Sequence, residues 1–215
     1  GLSRGRGTPN VYGSLEPTLI TEDFVERLSK LNKMCDHFHL SLQSGCDETL
    51  KRMNRRYSIK EFEKGVELIR KVYNNVALTT DIIVGFPGET DEEFNTTYEF
   101  LKKIKFYKMH IFKYSQRRGT RAAVMPNQID GNVKEERSRK LIELSDQNER
   151  EYNEKQIGKD VSVLFEEPHM ENGIRYMKGH TTNYRVVKVA TEEDWENQLR
   201  TVKIANTDGL ELVGE

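Results

Sequence analysis

The sequence predicts an α/β fold, a partial (β/α) TIM-like barrel followed by a small antiparallel β-barrel of OB-like size, and three observations predict it. Apolar stretches with strand character alternate with amphipathic stretches of crossover length up to about residue 156. The stretch LTTDIIVGFPGET (78–90) joins a β-branched apolar run to a Gly/Pro turn and then to Thr90 with Glu93 three residues on, a capping-box spacing. After Gly158 the texture changes to short strands separated by turn residues.

Taken in order, residues 1–13 are rich in Gly and Arg, carry no hydrophobic period, and read as an irregular or non-native start. Ser14-Leu-Glu-Pro marks the end of a possible strand. Thr21 then caps a helix expected over 22–34, with Phe24, Val25, Leu28 and Leu31 on one face. Asp36–Gln43 alternates as a strand. A short helical stretch reaches Met53, and Ser58 with Glu61 forms a second capping box, opening a helix to about Tyr73. The strand 78–84, a helix over 91–104 and a strand over 108–114 follow. Three clear strands and a fourth fragment are too few to close an eight-stranded barrel. A polar loop over 116–132 leads into a charged helix over 133–156. Five short strands in residues 157–215 then form the small barrel, so the expected domains are 14–156 and 157–215.

Charged residues make up 32% and apolar ones 35% of the chain, as in a globular domain with a moderate core. No run approaches the roughly 20 apolar residues needed to span a bilayer, and two cysteines, Cys35 and Cys46, suggest a reducing compartment, read as cytoplasmic. The net charge of −1 is unevenly split: 27 Lys/Arg against 24 Asp/Glu in residues 1–155, and 7 against 11 in residues 156–215. Any nucleic-acid contact therefore rests on local patches.

Polar residues gather at the predicted strand ends: Ser14 and Glu16, Gln43 and Ser44, Asp81 with the turn Gly85-Phe86-Pro87-Gly88-Glu89, and Tyr114, Ser115 and Arg117. Side chains at the carboxyl ends of parallel strands converge on one rim, where a small polar ligand binds. Taken singly, each also suits ordinary turn chemistry. His37 and His39 share a strand face but lack a third ligand nearby in sequence, so packing or a polar contact is favoured over metal. The spacing of Cys35 and Cys46 fits no zinc or cluster motif. Lys51-Arg52, Arg55-Arg56 and Arg117-Arg118-Arg121 follow strand ends, as a solvated face or as a phosphate-holding rim. In the small barrel, Arg175, Tyr176, Lys178, His180, Tyr184, Arg185 and Lys188 interleave cations with aromatics, the pattern of single-strand nucleic-acid binding.

HFHLSLQSGCDETLKRMNRRY (37–57), TTDIIVGFPGETDEEF (79–94), HIFKYSQRRGTRAAVMPNQI (110–129) and KEERSRKLIELS (134–145) together resemble the methylthiotransferases of the radical S-adenosylmethionine superfamily. HLSLQSG and the HIFKYS strand look most like the branch acting on tRNA threonylcarbamoyladenosine next to the anticodon. The isopentenyladenosine branch is the alternative, and the branch acting on a ribosomal protein fits less well. The terminal barrel resembles the RNA-binding domain called TRAM. The resemblance implies S-adenosylmethionine and two [4Fe–4S] clusters, one cleaving the cofactor to a 5′-deoxyadenosyl radical and one tied to sulfur insertion. It places the Ile83–Glu89 stretch, with Ile83, Gly85, Phe86 and Pro87 as its site residues, on the adenine. By position it sets Ser14, Glu16, Gln43 and Asp81 around the cofactor or target base. tRNA is the implied partner, through Arg55, Arg56, Arg117, Arg175, Tyr176, Lys178, Tyr184, Arg185 and Lys188.

The family's CxxxCxxC motif is absent from the sequence, and a site-differentiated cluster needs three thiolates. The expectation is a carboxyl-terminal piece, inactive by itself, with no cofactor bound. The competing readings are a stand-alone RNA-binding module and, less favoured, carboxylate acid–base chemistry on Glu16 and Asp81.

Overall fold

The computed structural model describes residues 15–30 and 37–215. The irregular start over 1–13, Ser14, the end of the first predicted helix and Cys35 lie outside the described residues. These divide into two compact units, residues 15–30 with 38–148, and residues 149–215 with His37.

The first unit is built on a three-stranded sheet in the order β1 (His37–Gln43), β2 (Ala77–Val84), β3 (Lys108–Lys113). β2 and β3 pair in parallel, with Asp81 opposite His110 and Ile83 opposite Phe112. Leu15 adds a single parallel bridge to Leu40, which is what remains of the expected fourth strand among the described residues. The strand alternation sorts the faces. Phe38, Leu40, Leu42, Leu78, Ile82, Val84 and Met109 are buried on the helix-covered face. His39, Asp81 and His110 project from the other, as period-2 geometry requires.

The helices are α1 (Glu22–Ser29), α2 (Asp47–Arg52), α3 (Ile59–Val72), α4 (Asp91–Ile104) and α5 (Gly131–Glu154). Thr21 accepts from the Phe24 N–H to start α1. Reciprocal capping boxes start α3, from Ser58 and Glu61, and α4, from Thr90 and Glu93. Phe62 of α3 packs against Phe100 and Phe106, and Ser145 of α5 accepts from the Met109 N–H at 2.9 Å.

The second unit is a closed barrel in the order β4 (Asp160–Glu171), β5 (Ile174–Thr181), β6 (Val186–Ala190), β8 (Glu211–Gly214), β7 (Leu199–Asp208). Five strands are present as the turn signals indicate, but the barrel is mixed: β6 and β8 pair in parallel while the other pairs are antiparallel. Closing the cylinder leaves no sheet edge unpaired. Val163, Phe165, Met177, Val187, Val189, Val202, Ile204 and Leu212 fill it, and Trp195 meets Phe165 edge-on at 5.0 Å.

The division between the units falls inside α5 rather than at Gly158, where the composition changes, because the last turns of that helix belong to the barrel's contacts. Asn153 Nδ2 donates to the Leu210 carbonyl at 2.9 Å, and Tyr152 lies under the Arg185 guanidinium at 4.3 Å. A gain of side-chain volume at Gly179 of β5 cannot be accommodated, since a Cβ there would lie 2.2 Å from the Leu164 carbonyl oxygen. Gly179→Ala is therefore expected to cost about 3 kcal/mol in urea denaturation. Gly131→Ala, with open space around it, should stabilise by about 0.5 kcal/mol.

Candidate functional site

The turn after β2 is held from below by one buried carboxylate. Glu89 is 3% exposed; its Oε1 accepts from the Gly85 N–H at 2.9 Å and from Arg137 Nη1 of α5 at 2.7 Å. Arg137 also donates to the Glu89 carbonyl at 3.1 Å and to Asp91 at 2.7 Å, and its guanidinium lies 5.4 Å from the Phe94 ring. Burial pushes the Glu89 carboxyl above its usual range, while the Gly85 N–H and Arg137 hold the rise back. Gly85 has φ of +70° and a Cβ on it would fall 2.1 Å from Lys134 Cγ, so both backbone conformation and space require glycine.

Gly85, Phe86 and Pro87 are accordingly buried, with Phe86 packed edge-on against Tyr114 at 5.3 Å. None of the three is among the residues lining the strand-end cleft, whereas the resemblance sets them on the adenine. They fix the backbone that presents Ile83, and packing against Lys134 and Tyr114 covers them.

A cleft of about 450 Å³ opens at the carboxyl ends of the strands, lined by Gln43, Asp81, Ile83, Phe112, Lys113, Tyr114, Ser115, Arg117, Thr120 and Ala122. Its size falls within the roughly 300–1,000 Å³ usual for small-molecule sites. Gln43 has φ of +70°, a strained position of the kind that gathers at functional sites. The Tyr114 hydroxyl is buried with no hydrogen-bond partner among the described residues, an acceptor and donor available to a bound molecule. Gln43, Asp81, Ile83 and Arg117 of the predicted rim thus come together. Glu16 does not join them: it lines a separate hollow of about 400 Å³ with Asn54, Arg55, Arg56 and Tyr57. Tyr57 donates to the carbonyls of Ser41 and Leu42, both at 2.8 Å, and burial pushes its phenol up to about 12.

Below the cleft, His39 Nε2 lies 3.3 Å from Asp81 Oδ2, and His110 stands beside both. Sequence reasoning left His39 without a third ligand because its companions sit on neighbouring strands, where only register brings them to one level. The Glu89–Arg137 pair was likewise missed.

The basic residues sort into two groups. Arg55, Arg56 and Arg117 are exposed. Arg52 is not part of a free rim: it pairs with Glu93, which also accepts from Thr49, and the Arg52 hydrogen bonds hold the Glu93 carboxyl below its usual range. In the barrel the expected cationic face is largely spent internally. Arg185 is 1% exposed against Tyr152. Lys188 is 3% exposed and bound by Asp208 and by Glu171. Burial opposes its charge, but the two carboxylates outweigh burial and raise its pKa. Lys178 pairs with Glu211 at 2.8 Å, and Arg175 donates to the carbonyls of Thr191 and Glu193. Tyr184 is 54% exposed and Tyr176 half-buried. Arg185 and Lys188 are thus buried, Arg185 against the Tyr152 ring and Lys188 between the Glu171 and Asp208 carboxylates.

The radical SAM superfamily model matches residues 5–101. Coproporphyrinogen III oxidase of Escherichia coli, a radical SAM enzyme, shares the fold at a TM-score of 0.53 and 16% identity, over 63% of this chain and 31% of that one. The particular relatives are more specific. Threonylcarbamoyladenosine tRNA methylthiotransferase of Bacillus subtilis is 41% identical over 89% of this chain and 43% of its own length. A tRNA-2-methylthio-N(6)-dimethylallyladenosine synthase of Caldicellulosiruptor saccharolyticus is 35% identical over 93% of this chain and 42% of its own. The chain is similar to radical SAM methylthiotransferases over most of its length and spans under half the length of these curated relatives. No helix among the described residues is long and apolar enough to cross a membrane.

Removing Arg137 strands a buried carboxylate. Arg137→Met is expected to lose about 3–5 kcal/mol in urea denaturation, and Glu89→Gln in the same chain to recover part of it. A loss below about 1 kcal/mol would show that the pair does not hold the turn.

Proposed function

We propose that the strand-end cleft is one wall of an S-adenosylmethionine site in a tRNA methylthiotransferase, and that the target is threonylcarbamoyladenosine next to the anticodon. The observation that carries this reading is 41% identity to the Bacillus subtilis threonylcarbamoyladenosine enzyme over 89% of the chain. Similarity to dimethylallyladenosine synthases, at 35% over 93%, supports the isopentenyladenosine branch as the second reading.

In this proposal Ile83 supplies the apolar surface for the adenine, while Gln43, Asp81 and the unpartnered Tyr114 hydroxyl bind polar groups of the cofactor. S-adenosylmethionine held there would supply the radical chemistry of the class, together with a [4Fe–4S] cluster. The residues present do not fit such a cluster: the sequence holds two cysteines against three required thiolates, and Cys46 is buried. The chain by itself is proposed to be inactive, with catalysis belonging to a longer protein. Glu16 is assigned no direct cofactor contact, because it lines the neighbouring hollow.

The barrel is proposed to be a TRAM-like RNA-binding module, and the compartment is the cytoplasm. In the first unit the exposed Arg55, Arg56 and Arg117 are proposed as phosphate contacts, and in the barrel, taken by itself, Tyr176 and Tyr184 as stacking faces. The test is unmodified tRNA titrated against the chain at several salt concentrations. Binding should weaken steeply with salt. The triple variant Arg55→Ala, Arg56→Ala, Arg117→Ala should lower both affinity and salt slope, the slope by about 0.9 for each lost phosphate contact. Unchanged binding by the triple variant would remove this surface from the proposal. No measurable tRNA affinity in the unaltered chain would contradict the assignment of RNA binding to it.

A further inference from the structure

We infer that His39, Asp81 and His110 form a mononuclear site for a divalent transition-metal ion of the zinc class, beneath the strand-end cleft. The three residues come from three adjacent strands, β1, β2 and β3, and stand on the sheet face opposite the helices. Parallel pairing sets Asp81 directly opposite His110, which fixes two of the ligands at one level. His39 completes the group: one ligand atom from each residue lies within 4.8 Å of the others, and His39 Nε2 is already 3.3 Å from Asp81 Oδ2. Metal–ligand bonds of about 2.0–2.2 Å place tetrahedral donors roughly 3.3–3.5 Å apart. The His39–Asp81 edge meets that spacing, and exposed His110 needs only a side-chain swing to close it.

The donor set and its support both suit such an ion. Two imidazoles with one carboxylate is a borderline set, favouring zinc, iron(II) or cobalt(II) over magnesium or calcium, which take oxygen ligands. The other ring nitrogen of His39, Nδ1, lies 3.0 Å from the Thr79 hydroxyl, also on β2. A hydrogen bond there orients the ring so that Nε2 faces Asp81, the usual supporting arrangement for a ligating histidine. His39 and Asp81 keep 19% and 32% of their side-chain surface. An ion can therefore enter, and because Asp81 also lines the cleft, the remaining coordination positions open towards it. This inference shares Asp81 with the proposed cofactor site, but its test uses neither S-adenosylmethionine nor an iron–sulfur cluster, so it can fail while the cofactor reading stands.

The test is titration of the chain with cobalt(II), read by the visible d–d absorption of the bound ion, with zinc(II) displacing it. One equivalent should bind, with band intensities of a four- or five-coordinate ion. His110→Ala, at an exposed position that leaves the fold intact by circular dichroism, should weaken binding by at least about tenfold, as should Asp81→Asn. Thr79→Val should weaken it by about tenfold through loss of ligand support. Two further variants address other possible donors. Cys46→Ser removes the buried thiol, and His180→Ala removes the exposed histidine paired with Glu166 at 2.8 Å. Both should bind as the unaltered chain does. No saturable d–d spectrum, equal binding by His110→Ala and Asp81→Asn, or loss of binding in His180→Ala or Cys46→Ser would each overturn the assignment.

Discussion

The Glu89 carboxylate is the contact on which the candidate site depends. It is taken out of water under the β2–α4 turn, where it satisfies the Gly85 N–H and binds Arg137 from α5. A buried charge survives only with such partners, because an unpaired one costs several kcal/mol. The pair therefore fastens three elements that lie far apart in sequence: the end of β2, the first turn of α4 and the body of α5. Arg137 reaches Asp91 at the same time, so the α4 amino terminus is held along with the turn. Lys134, one helical turn earlier on α5, crosses Gly85 and donates to the Tyr114 carbonyl at 3.2 Å, extending the fastening to the end of β3.

This arrangement separates presentation from contact. The Gly/Pro turn shapes the backbone and is then covered, while Ile83, Gln43, Asp81 and Tyr114 face the open cleft. A rigid floor of this kind presents side chains at fixed spacing and loses little entropy on binding. The His39–Asp81–His110 group lies on the same face because the strand register that carries Ile83 to the cleft also carries Asp81 to His110. In the second unit the same electrostatic rule has the opposite outcome for function. Acidic residues bind Lys178 and Lys188, so neither is a free cation, while Tyr184 stays exposed.

Local signals were the most legible. Ser58 with Glu61 and Thr90 with Glu93 are spaced as capping boxes, and both are present with their reciprocal hydrogen bonds. The strand alternation in 37–43 and the five short strands after Gly158 also match what the sequence implies. What escaped reading depends on partners distant in the chain. Arg185 and Lys188 look like surface cations until Tyr152, Glu171 and Asp208 are brought to them by barrel closure. Glu16 stands near the other strand-end residues in sequence order, yet it faces Arg55 and Arg56 across a different hollow. His39 lacked a third ligand only because Asp81 and His110 are 42 and 71 residues further along. Arg137 looked like one charge among many on an amphipathic helix, and nothing in its neighbourhood marks it as the partner of a buried carboxylate.

The turn after β2 is a closed structural knot rather than a flexible ligand loop, and hydrogen exchange at one amide tests this most directly. The Gly85 N–H, held by Glu89, should exchange only through global unfolding, with the same protection free energy as the Ile82 and Val84 amides of the strand. Exchange at Gly85 several orders of magnitude faster than at those two amides would mean that the turn opens locally, and would contradict the account.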